Sequence, residues 1–482
     1  MNILEVLHVV GALVVWTAVA MLAPTAVALG EGLWLPWLGA VAIAGMGGAL
    51  LWWLTPREIS INPREGLAIV GLGWICMVIA GAMPFVLLGV APTPWAALFE
   101  STSGFTTTGA TVFARIEDLP HSILLWRSIT HWLGGMGIIV LGVAILPLLG
   151  MGGAQLFHYE APGIPSDRLT PRVASTARLL WGVYALLTGT LAVIYMVLGM
   201  SPFDAVNHAM SSLATGGFST RTDSIGAFSA PIQWVTVLFM LVAGTNFTLH
   251  YRLLTGRMTA WVGDHEWRWF VGIAAVSMVV AFVALGLSGA GWGEDVARSA
   301  VFNVTAIVTT TGFVTADFGV WPAVTQVLLL GLMFMGAMGG STGGGFKVVR
   351  AVVVLKHALS EIRKVLHPRA VFVTKIGRRQ VRSDVVLNVL AFLALYMLTH
   401  AIGTILLAAL GSDLVTALSA SLAAMSSIGP GLGAVGPAAN YGELSSAAHV
   451  LLSVLMLLGR LEFYTLLVLV IPGTWSRWGG HL

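Results

Sequence analysis

Long apolar stretches alternate with short polar ones along the whole chain. Runs of about 18 or more mainly apolar residues recur throughout, and a helix needs roughly 20 such residues to cross a membrane. Two of these runs open the chain, at about 4–27 and 33–54. The pattern predicts an all-α polytopic membrane protein.

A longer pattern follows the two opening runs and recurs four times. Each copy has a long apolar helix, a short amphipathic helix, a glycine-containing segment and a second long helix. Matching glycines stand about 100 residues apart, which marks an internal repeat. We therefore expect ten transmembrane helices, namely an N-terminal pair and four helix–pore-helix–helix repeats around one pseudo-fourfold pore. The predicted divisions are the pair at 1–60, repeat 1 at 61–150, repeat 2 at 151–260, repeat 3 at 261–360 and repeat 4 at 361–482.

The apolar patterning also predicts where the helices of each repeat lie. The first long helices are expected near 66–90, 174–199, 268–290 and 385–410. The short pore helices are expected near 94–105, 202–213, 297–308 and 413–425. The second long helices are expected near 122–149, 231–255, 322–355 and 444–472.

The composition excludes a soluble protein. The chain of 482 residues is 57% hydrophobic and only 9% charged, which is too few charges to cover a water-exposed surface. The single Cys76 excludes a disulfide framework and a cysteine metal cluster. No basic region precedes the first apolar run, so we expect a retained helix there and not a cleaved signal peptide.

Charge placement predicts the orientation of the chain. With residue 1 inside and ten spans, most of the 24 Lys and Arg residues fall on the inner side, so both termini are expected in the cytoplasm. The longest inner loop, about 347–384, is strongly basic, and either anionic lipid or an acidic cytosolic partner would suit it. Its basic residues are Lys347, Arg350, Lys356, Arg363, Lys364, Arg369, Lys375, Arg378, Arg379 and Arg382.

About half of the acidic residues fall on the outer side, around the glycine segments. They either form a vestibule that concentrates cations or simply populate translocated loops. These acids include Glu100, Glu117, Asp118, Asp204, Asp223, Glu294, Asp295, Asp317, Asp413 and Glu443.

The four glycine segments have the chemistry of an ion filter. Stacked backbone carbonyls and Thr or Ser hydroxyls supply uncharged oxygen ligands, which suit a monovalent cation that must also leave. Glycine permits the positive φ that such a backbone needs, and the C-terminal ends of the pore helices favour a cation. Small polar runs are also common at helix contacts, but four copies between spans favour a pore. The predicted ion-binding residues are Thr107, Thr108, Gly109, Ala214, Thr215, Gly216, Thr310, Thr311, Gly312, Ser427, Ile428 and Gly429.

A glycine-rich run interrupts the second helix of repeat 3. Six glycines in the ten residues 336–345 do not hold a straight helix, because each costs about 1 kcal/mol relative to alanine. The run is therefore either a loop that faces a water-filled path or a flexible kink between packed helices. A phosphate-binding loop is excluded, because Gly345-Phe346-Lys347 lacks the required Gly-Lys-Ser/Thr ending.

Arg460 lies well inside an apolar helix, where a charge costs about 2.5–3.5 kcal/mol. One interpretation is a positive charge on the pore wall that lowers cation occupancy below the filter; the other is an ion pair with another helix. Glu462 is only two residues away and points elsewhere on the helix, so it is a poor partner. His131 and His400 also lie in spans, where hydrogen-bonded packing is expected.

These residues together resemble the membrane subunit of Trk/Ktr/HKT-type potassium transporters, most closely the TrkH type. The likeness is carried by Thr107-Thr108-Gly109, by Thr310-Thr311-Gly312, by the glycine-rich run and by Gly459-Arg460, and it covers nearly the whole chain. It implies that K⁺ is the transported ion and binds at the filter residues, where glycine is linked to potassium selectivity and serine at the first position to sodium transport. It also implies a gate beneath the filter, formed by Gly339, Gly340, Ser341, Thr342, Gly343, Gly344 and Gly345 together with Arg460.

The resemblance also implies the setting of the protein. It points to potassium uptake across a bacterial inner membrane by a homodimer, with a cytosolic ring of nucleotide-binding regulatory subunits of the TrkA type. The chain itself is expected to bind no cofactor and no nucleic acid, and to contact membrane lipids.

The residues give less support to two other classes of function. A sodium- or proton-coupled symporter would need a buried carboxylate, and Glu462 is the only acid expected at the centre of a span. An intramembrane enzyme is excluded, because the Ser and Thr residues cluster with Gly and not with His, and a His-Glu-x-x-His motif is absent.

Overall fold

The computed structural model describes residues 2–55, 63–144, 170–370, 372–377 and 379–471. Most of these residues are helical, as the apolar pattern predicts. The predicted divisions near 60 and 150, the helix ends predicted at 145–149 and 472, and Arg378 of the basic loop lie outside the described residues.

Apolar helices of membrane-spanning length recur through the described residues. Six runs are long and apolar enough to cross a membrane, and a seventh qualifies if Ala230–Ala243 and Phe247–Leu254, which meet at an angle of 101°, count as one. The six are Ile3–Glu31, Trp34–Trp53, Arg64–Leu87, Ser175–Val197, His265–Ala290 and Ser383–Ala409. Their outward faces expose large apolar side chains, which is the expected surface for lipid contact.

Both helices predicted at the start of the chain form, and the first runs on to Glu31 with one irregular turn at Met21. Helices Ile3–Ala20 and Leu22–Glu31 meet at Met21, and Trp34–Trp53 follows. A Cβ atom added to Gly11 would lie 2.7 Å from the carbonyl oxygen of Gly48, so the first and third of these helices cross with their backbones almost in contact. Glycine pairs of this kind are a common basis of helix packing in membranes.

The first long helices of the four repeats match their predicted ranges closely. They are Pro63–Leu87, Thr170–Val197, His265–Leu285 and Ser383–Ala409, and a single π-helical turn, Gly286–Ala290, extends the third.

The four short helices that the sequence predicted as pore helices also form. Side chains of Thr93, Ser201 and Asp413 cap the first, second and fourth by accepting a backbone N–H of the first turn. A proline follows Thr93 and Ser201, where it loses no hydrogen bond. The third pore helix begins three residues earlier than predicted. The helices are Pro94–Phe105, Pro202–Leu213, Glu294–Val308 and Leu414–Ser426.

The second helices of repeats 2, 3 and 4 are not continuous, and only the break in repeat 3 was predicted. The helix of repeat 1, His121–Ala144, is unbroken in its described part. The others divide into Ala230–Ala243 and Phe247–Leu254, Ala323–Phe334 and Val348–Leu366, and Ser446–Arg460 and Tyr464–Val470.

The two unpredicted breaks have different physical causes. At the break in repeat 2, Gly244 and Phe247 exchange their helical hydrogen bonds for bonds to the glycine-rich run of repeat 3: Met338 N donates to Gly244 O at 3.1 Å, and Phe247 N donates to Gly340 O at 3.0 Å. At the break in repeat 4, Glu462 has a φ of 56°, which ends the helix without a glycine.

The basic loop folds into a helix and a small hairpin. Val348–Leu366 continues from the glycine-rich run, and Lys375–Ile376 pairs with Arg379–Gln380 as an antiparallel two-residue pair. Lys356 Nζ donates to Lys375 O at 2.9 Å, which holds the hairpin against the helix. One helix, Ala260–Gly263, lies between repeats 2 and 3.

Candidate functional site

The four glycine segments meet in a closed ring. A Cβ atom added to the glycine of any one segment would collide with a backbone carbonyl oxygen of the next segment. The contacts run from Gly109 to Gly216, from Gly217 to Thr311, from Gly312 to Ile428 and from Gly429 back to Thr108. Each repeat therefore borders the next, and the fourth borders the first.

The same backbone geometry recurs in every segment of the ring. Each starts with a non-glycine residue of positive φ: 54° at Thr107, 52° at Thr215, 58° at Thr310 and 55° at Ser427. The next residue donates its N–H to the carbonyl five residues earlier, at 2.8–3.0 Å. A glycine of positive φ follows: 79° at Gly109, 83° at Gly217, 73° at Gly312 and 93° at Gly429. These shared features align the four segments residue by residue.

This alignment corrects the prediction for repeat 2 by one residue. Ala214, Thr215 and Gly216 were predicted there, but the residues that match Thr107-Thr108-Gly109 are Thr215, Gly216 and Gly217. The sequence has two adjacent glycines, and the positive φ falls on the second of them. The predicted triplets of repeats 1, 3 and 4 keep their register.

Hydroxyl groups surround the inner end of the ring, and two of them have no protein partner. Thr107 Oγ1 and Ser427 Oγ are buried and lack a hydrogen-bond partner among the described residues. They occupy the same position in repeats 1 and 4. A buried hydroxyl without a partner is costly, and a desolvated cation or its water would satisfy it.

A buried polar side chain of each pore helix holds the segment just beyond the ring. These residues were not predicted, although Glu100, His208 and Asn303 each stand nine residues before the ring glycine of their repeat. The contacts are Thr111 Oγ1 to Glu100 at 3.0 Å, His208 Nε2 to Ser219 Oγ at 2.9 Å, Asn303 Nδ2 to Thr315 Oγ1 at 3.1 Å and Leu432 N to Ser419 Oγ at 2.8 Å. A polar residue at a fixed offset within an apolar pore helix is the sequence signal that could have identified them.

Glu100 is part of a buried ion pair and not of an open vestibule. Arg127 Nε lies 2.8 Å from Glu100 Oε1, and both side chains are almost completely buried, at 2% and 0% exposure. Arg127 also donates to Ser219 O of repeat 2 at 3.1 Å. The pair therefore joins the glycine segments of repeats 1 and 2, whereas the sequence predicted only that both charges lie on the outer side.

A cavity of about 510 Å³ opens above the ring, and all four ring glycines line it. Its charged lining consists of Arg127, Arg221, Asp223 and Asp317, so positive and negative side chains are equal in number. Asp204 pairs with Arg221 at 2.8 Å. This balance favours the interpretation in which the acids populate loops over the one in which they form a strongly acidic vestibule.

Glu117 ties the outer loop of repeat 1 to that of repeat 2. Its carboxylate accepts hydrogen bonds from the N–H of Thr222, at 2.8 Å, and from the Thr222 hydroxyl. Partial burial raises the pKa of Glu117, but these two donors and the nearby Arg221 outweigh it and hold the pKa below its ordinary value of 4.5. Glu117 is therefore charged at neutral pH, where the tie is complete.

The glycine loop, Gly339–Gly345, lies directly beneath the ring. Gly344 N donates to Thr310 Oγ1 at 2.8 Å, and a Cβ atom on Gly344 would lie 2.9 Å from the Cβ of Ser427. Thr342 Oγ1 donates to Leu213 O at 3.0 Å, at the end of the second pore helix. The loop therefore contacts repeats 2, 3 and 4 on the side of the ring opposite the cavity.

The glycine loop is closed at its neck and anchored from below. Gly336 N donates to Phe346 O and Phe346 N donates to Phe334 O, both at 3.2 Å, so the two ends of the loop are adjacent. Glu266 Oε1 accepts the N–H of Gly339 at 2.8 Å. Glu266 is a buried acid that the sequence did not single out, because it stands next to the expected start of a span.

Arg460 is buried and binds backbone carbonyls instead of a carboxylate. Its Nη1 donates to Thr342 O at 2.7 Å, and its Nη2 donates to Gly134 O at 3.3 Å. Glu462 pairs with Arg350 at 2.8 Å, as expected for a residue that points away from Arg460. Among the ion pairs of the described residues none involves Arg460, so its interpretation as a structural ion pair loses its basis. Arg460 instead joins the glycine loop to the second helix of repeat 1.

Both membrane histidines make hydrogen bonds, as predicted. His400 Nδ1 lies 3.2 Å from Ser421 Oγ. His131 Nδ1 lies 3.1 Å from Ser211 Oγ, and its ring stacks on Phe218 with centroids 4.0 Å apart. His131 therefore lies directly behind the glycine segment of repeat 2.

Comparison with known proteins agrees with this geometry. Residues 38–476 match the family model described as TrkH, a cation transport protein. The chain is 40% identical to the Trk system potassium uptake protein TrkH of Halomonas elongata and 39% identical to the one of Vibrio parahaemolyticus; the alignments cover 99% and 98% of this chain and 100% of each relative. The crystal structure of the potassium transporter TrkH from Vibrio parahaemolyticus superposes with a TM-score of 0.91 at 38% identity, over 99% of this chain and 100% of that one.

Proposed function

The chain belongs to the TrkH family of cation transport proteins, and from that premise we propose that it is the potassium-conducting subunit of a Trk-type uptake system. The observation that carries the proposal is the closed ring of four glycine segments. Its glycines and carbonyls line one end of the cavity of about 510 Å³, and its inner end holds buried hydroxyls without protein partners. The protein is not an enzyme, because its family is one of transporters and its sequence lacks catalytic motifs.

In this proposal the ring is the selectivity filter. A potassium ion enters the cavity, exchanges its water for backbone carbonyls and hydroxyls, and passes between the four segments. The ligands are the residues Thr107-Thr108-Gly109 and their matches in the other repeats, with Thr215, Gly216 and Gly217 in repeat 2. The C-terminal ends of the four pore helices add partial negative charge, and the membrane potential supplies about 2.3 kcal/mol per charge per 100 mV.

The glycine loop and Arg460 form the gate of this pathway. The loop lies across the inner end of the ring, and Arg460 holds it through the carbonyl of Thr342. The described conformation is therefore closed, and ions pass only when the loop leaves the axis. Because the loop is anchored to helices on both sides, a shift of Val348–Leu366 is transmitted to it through Glu266 and the neck.

The wider architecture is proposed on the same basis. Ten transmembrane helices form an N-terminal pair and four pore repeats, with the divisions given by the sequence and both termini in the cytoplasm of a bacterial cell. The subunit forms a homodimer in the inner membrane, contacts anionic lipid, and is regulated by cytosolic nucleotide-binding subunits of the TrkA type that dock near the basic loop.

Passive conduction is favoured over ion-coupled symport. The acids near the described pathway are engaged by donors: Glu100 by Arg127, Glu266 by the Gly339 N–H and Glu462 by Arg350. A carboxylate that carries a coupling ion or proton must exchange its partner during every cycle. Breaking these contacts would also disrupt the link between repeats 1 and 2 beside the filter, or release the glycine loop from Glu266.

The proposal is tested with the purified protein in liposomes. We expect potassium flux that follows the imposed membrane potential, with little sodium flux and with no need for a sodium or proton gradient. Flux is measured with and without a TrkA-type partner, which is expected to increase it. Equal sodium and potassium permeability would contradict the filter assignment, and flux that requires a proton gradient would favour the symporter.

A further inference from the structure

Gly216 is a glycine for a different reason from the four ring glycines. Gly109, Gly217, Gly312 and Gly429 all have positive φ, whereas Gly216 does not, so its backbone conformation is open to any residue. A Cβ atom at Gly216 would instead collide with the His131 ring, 2.5 Å from Cγ and 2.6 Å from Cε1. The requirement for glycine at 216 therefore comes from a side chain of another repeat.

His131 is held firmly in the position that excludes this Cβ atom. It is completely buried on the second helix of repeat 1. Its Nδ1 lies 3.1 Å from Ser211 Oγ, while Ser211 O accepts the N–H of Gly216 at 2.9 Å. Arg127, one helical turn earlier on the same face, lies 3.9 Å from the ring centroid of Phe218, on which His131 stacks at 4.0 Å. The second helix of repeat 1 therefore contacts both Gly216 and Phe218, the residue that follows the ring glycine Gly217.

In the other repeats, the filter residue at the matching position carries a side chain of its own. The residues that match Gly216 are Thr108, Thr311 and Ile428. In repeats 1 and 3 the threonine hydroxyl bonds a second threonine, Thr106 or Thr309, at 2.8 Å. In repeat 2 this second position is Ala214, so both groups of the pair are missing. The imidazole of His131 lies on the side of the repeat 2 segment where the two threonine side chains are missing.

The residue type at the position of His131 also differs between repeats. His131 stands three residues before Gly134, and Met456 stands three residues before Gly459. A Cβ atom on either glycine would collide with the last-turn carbonyl of a pore helix, that of Phe105 or that of Met425, so the two helices pack alike. Repeat 4 thus carries a completely buried methionine where repeat 1 carries the histidine.

We propose that His131 and Gly216 form a size-matched pair, in which the imidazole replaces the missing side chain and fixes the repeat 2 wall of the filter. His131 is then a positioning residue for selectivity: it sets the place of the Gly216 carbonyl, which borders Gly109 across the ring. The inference rests on the proposed potassium function and adds that one wall of the filter is positioned by a neighbouring repeat.

The test is a double-mutant cycle between the two positions. Gly216→Thr alone forces the threonine into the imidazole, and we expect a fall in melting temperature together with loss of potassium preference. His131→Ala alone leaves the segment unsupported, and we expect a folded protein whose potassium-to-sodium permeability ratio falls about tenfold. The double variant gives the threonine the space that the imidazole of His131 leaves, so that the segment resembles those of repeats 1 and 3. We expect the double variant to exceed Gly216→Thr in both ratio and melting temperature.

Two controls make the result specific. His400→Ala removes a membrane histidine that bonds Ser421 and does not border a matched filter residue, so we expect the wild-type ratio. His131→Met, which copies repeat 4, is expected to restore part of the ratio lost in His131→Ala. A double variant that is no better than Gly216→Thr, including one that also fails to fold, overturns the pairing. A His131→Ala variant with lowered stability but an unchanged potassium-to-sodium permeability ratio would also overturn the pairing. Wild-type protein without potassium preference would instead overturn the proposed function.

Discussion

At the scale of single residues, Gly109 is constrained twice. Its φ of 79° lies in the region that a side chain destabilises, and a Cβ atom would collide with the Gly216 carbonyl oxygen of the adjacent segment. A non-glycine residue in a strained conformation costs about 1–3 kcal/mol. The carbonyl collision adds a displacement of the ligand itself, so the geometry of the ring cannot be kept.

We therefore predict that Gly109→Ser loses potassium preference over sodium while conduction persists. The added Cβ atom pushes the Gly216 carbonyl out of the ring, which suits a smaller or more hydrated ion better. The measurement is the ratio of potassium to sodium flux in liposomes. Gly89→Ser is the matched control, because Gly89 has a φ of 65° but no atom within 4 Å of a Cβ position. If both variants keep the wild-type ratio, Gly109 does not line the filter.

A second prediction concerns Arg460, whose guanidinium joins Thr342 O to Gly134 O. Under the proposed gating, Arg460→Ala frees the glycine loop and removes the positive charge that holds it, so we expect increased potassium flux per molecule. Two carbonyls lose a donor, at a cost of about 1–3 kcal/mol for a buried group, so the fold should persist. Flux and melting temperature are measured on one preparation, with Arg460→Lys as the charge-preserving control. Wild-type flux with a large loss of stability would assign Arg460 a purely structural role.

At the scale of elements, some features could be predicted from local sequence and others could not. The pore helices begin where Thr93 or Ser201 precedes proline, and these local signals predicted their ranges. The break in repeat 3 was predicted because glycine destabilises a helix wherever it stands. The breaks at Gly244 and Glu462 were missed. At Gly244 a local signal exists, because Asn246 caps the following helix by accepting the Thr248 N–H, but the hydrogen bonds that replace the helical ones come from the distant residues Met338 and Gly340. The register of repeat 2 was missed because only φ distinguishes Gly216 from Gly217.

The glycine loop gives the third prediction, that deletion of Gly339–Gly345 raises basal potassium flux. Removal is structurally feasible because the neck residues already pair: Gly336 and Phe346 are joined by a 3.2 Å hydrogen bond. The deletion clears the inner end of the ring without separating the two helices. Flux is compared with that of the wild type at equal amounts of folded protein, judged by melting temperature. Unchanged or reduced flux in a normally folded variant would show that the loop is not the gate.

At the scale of the whole molecule, the ring depends on contacts between repeats. The sequence predicted four separate units, and the glycine segments of these units contact one another in the ring. What it could not predict is how the units join, because residues in contact between repeats, such as Arg127 and Ser219 or His131 and Gly216, are far apart along the chain. Single copies of a filter segment have little stability of their own, so selectivity belongs to the assembled ring.

The buried pair of Glu100 and Arg127 provides the test of this dependence. Arg127→Ala leaves the Glu100 carboxylate buried without its charged partner, which costs about 3–5 kcal/mol. It also removes the donor to Ser219 O, so repeats 1 and 2 lose a shared contact beside the filter. We expect a large fall in melting temperature together with loss of potassium preference.

The control is Arg221→Ala, which breaks an ion pair at the same face between Arg221, 44% exposed, and Asp204. A pair of this exposure contributes at most about 1 kcal/mol, so that variant should melt near the wild-type temperature. Glu100→Gln combined with Arg127→Met removes both charges and should recover stability relative to Arg127→Ala, because no buried charge is left alone. Recovery of the melting temperature without recovery of potassium preference would show that the pair shapes the filter as well as the fold. Arg127→Ala that melts like Arg221→Ala would contradict the buried, ring-joining role of Arg127.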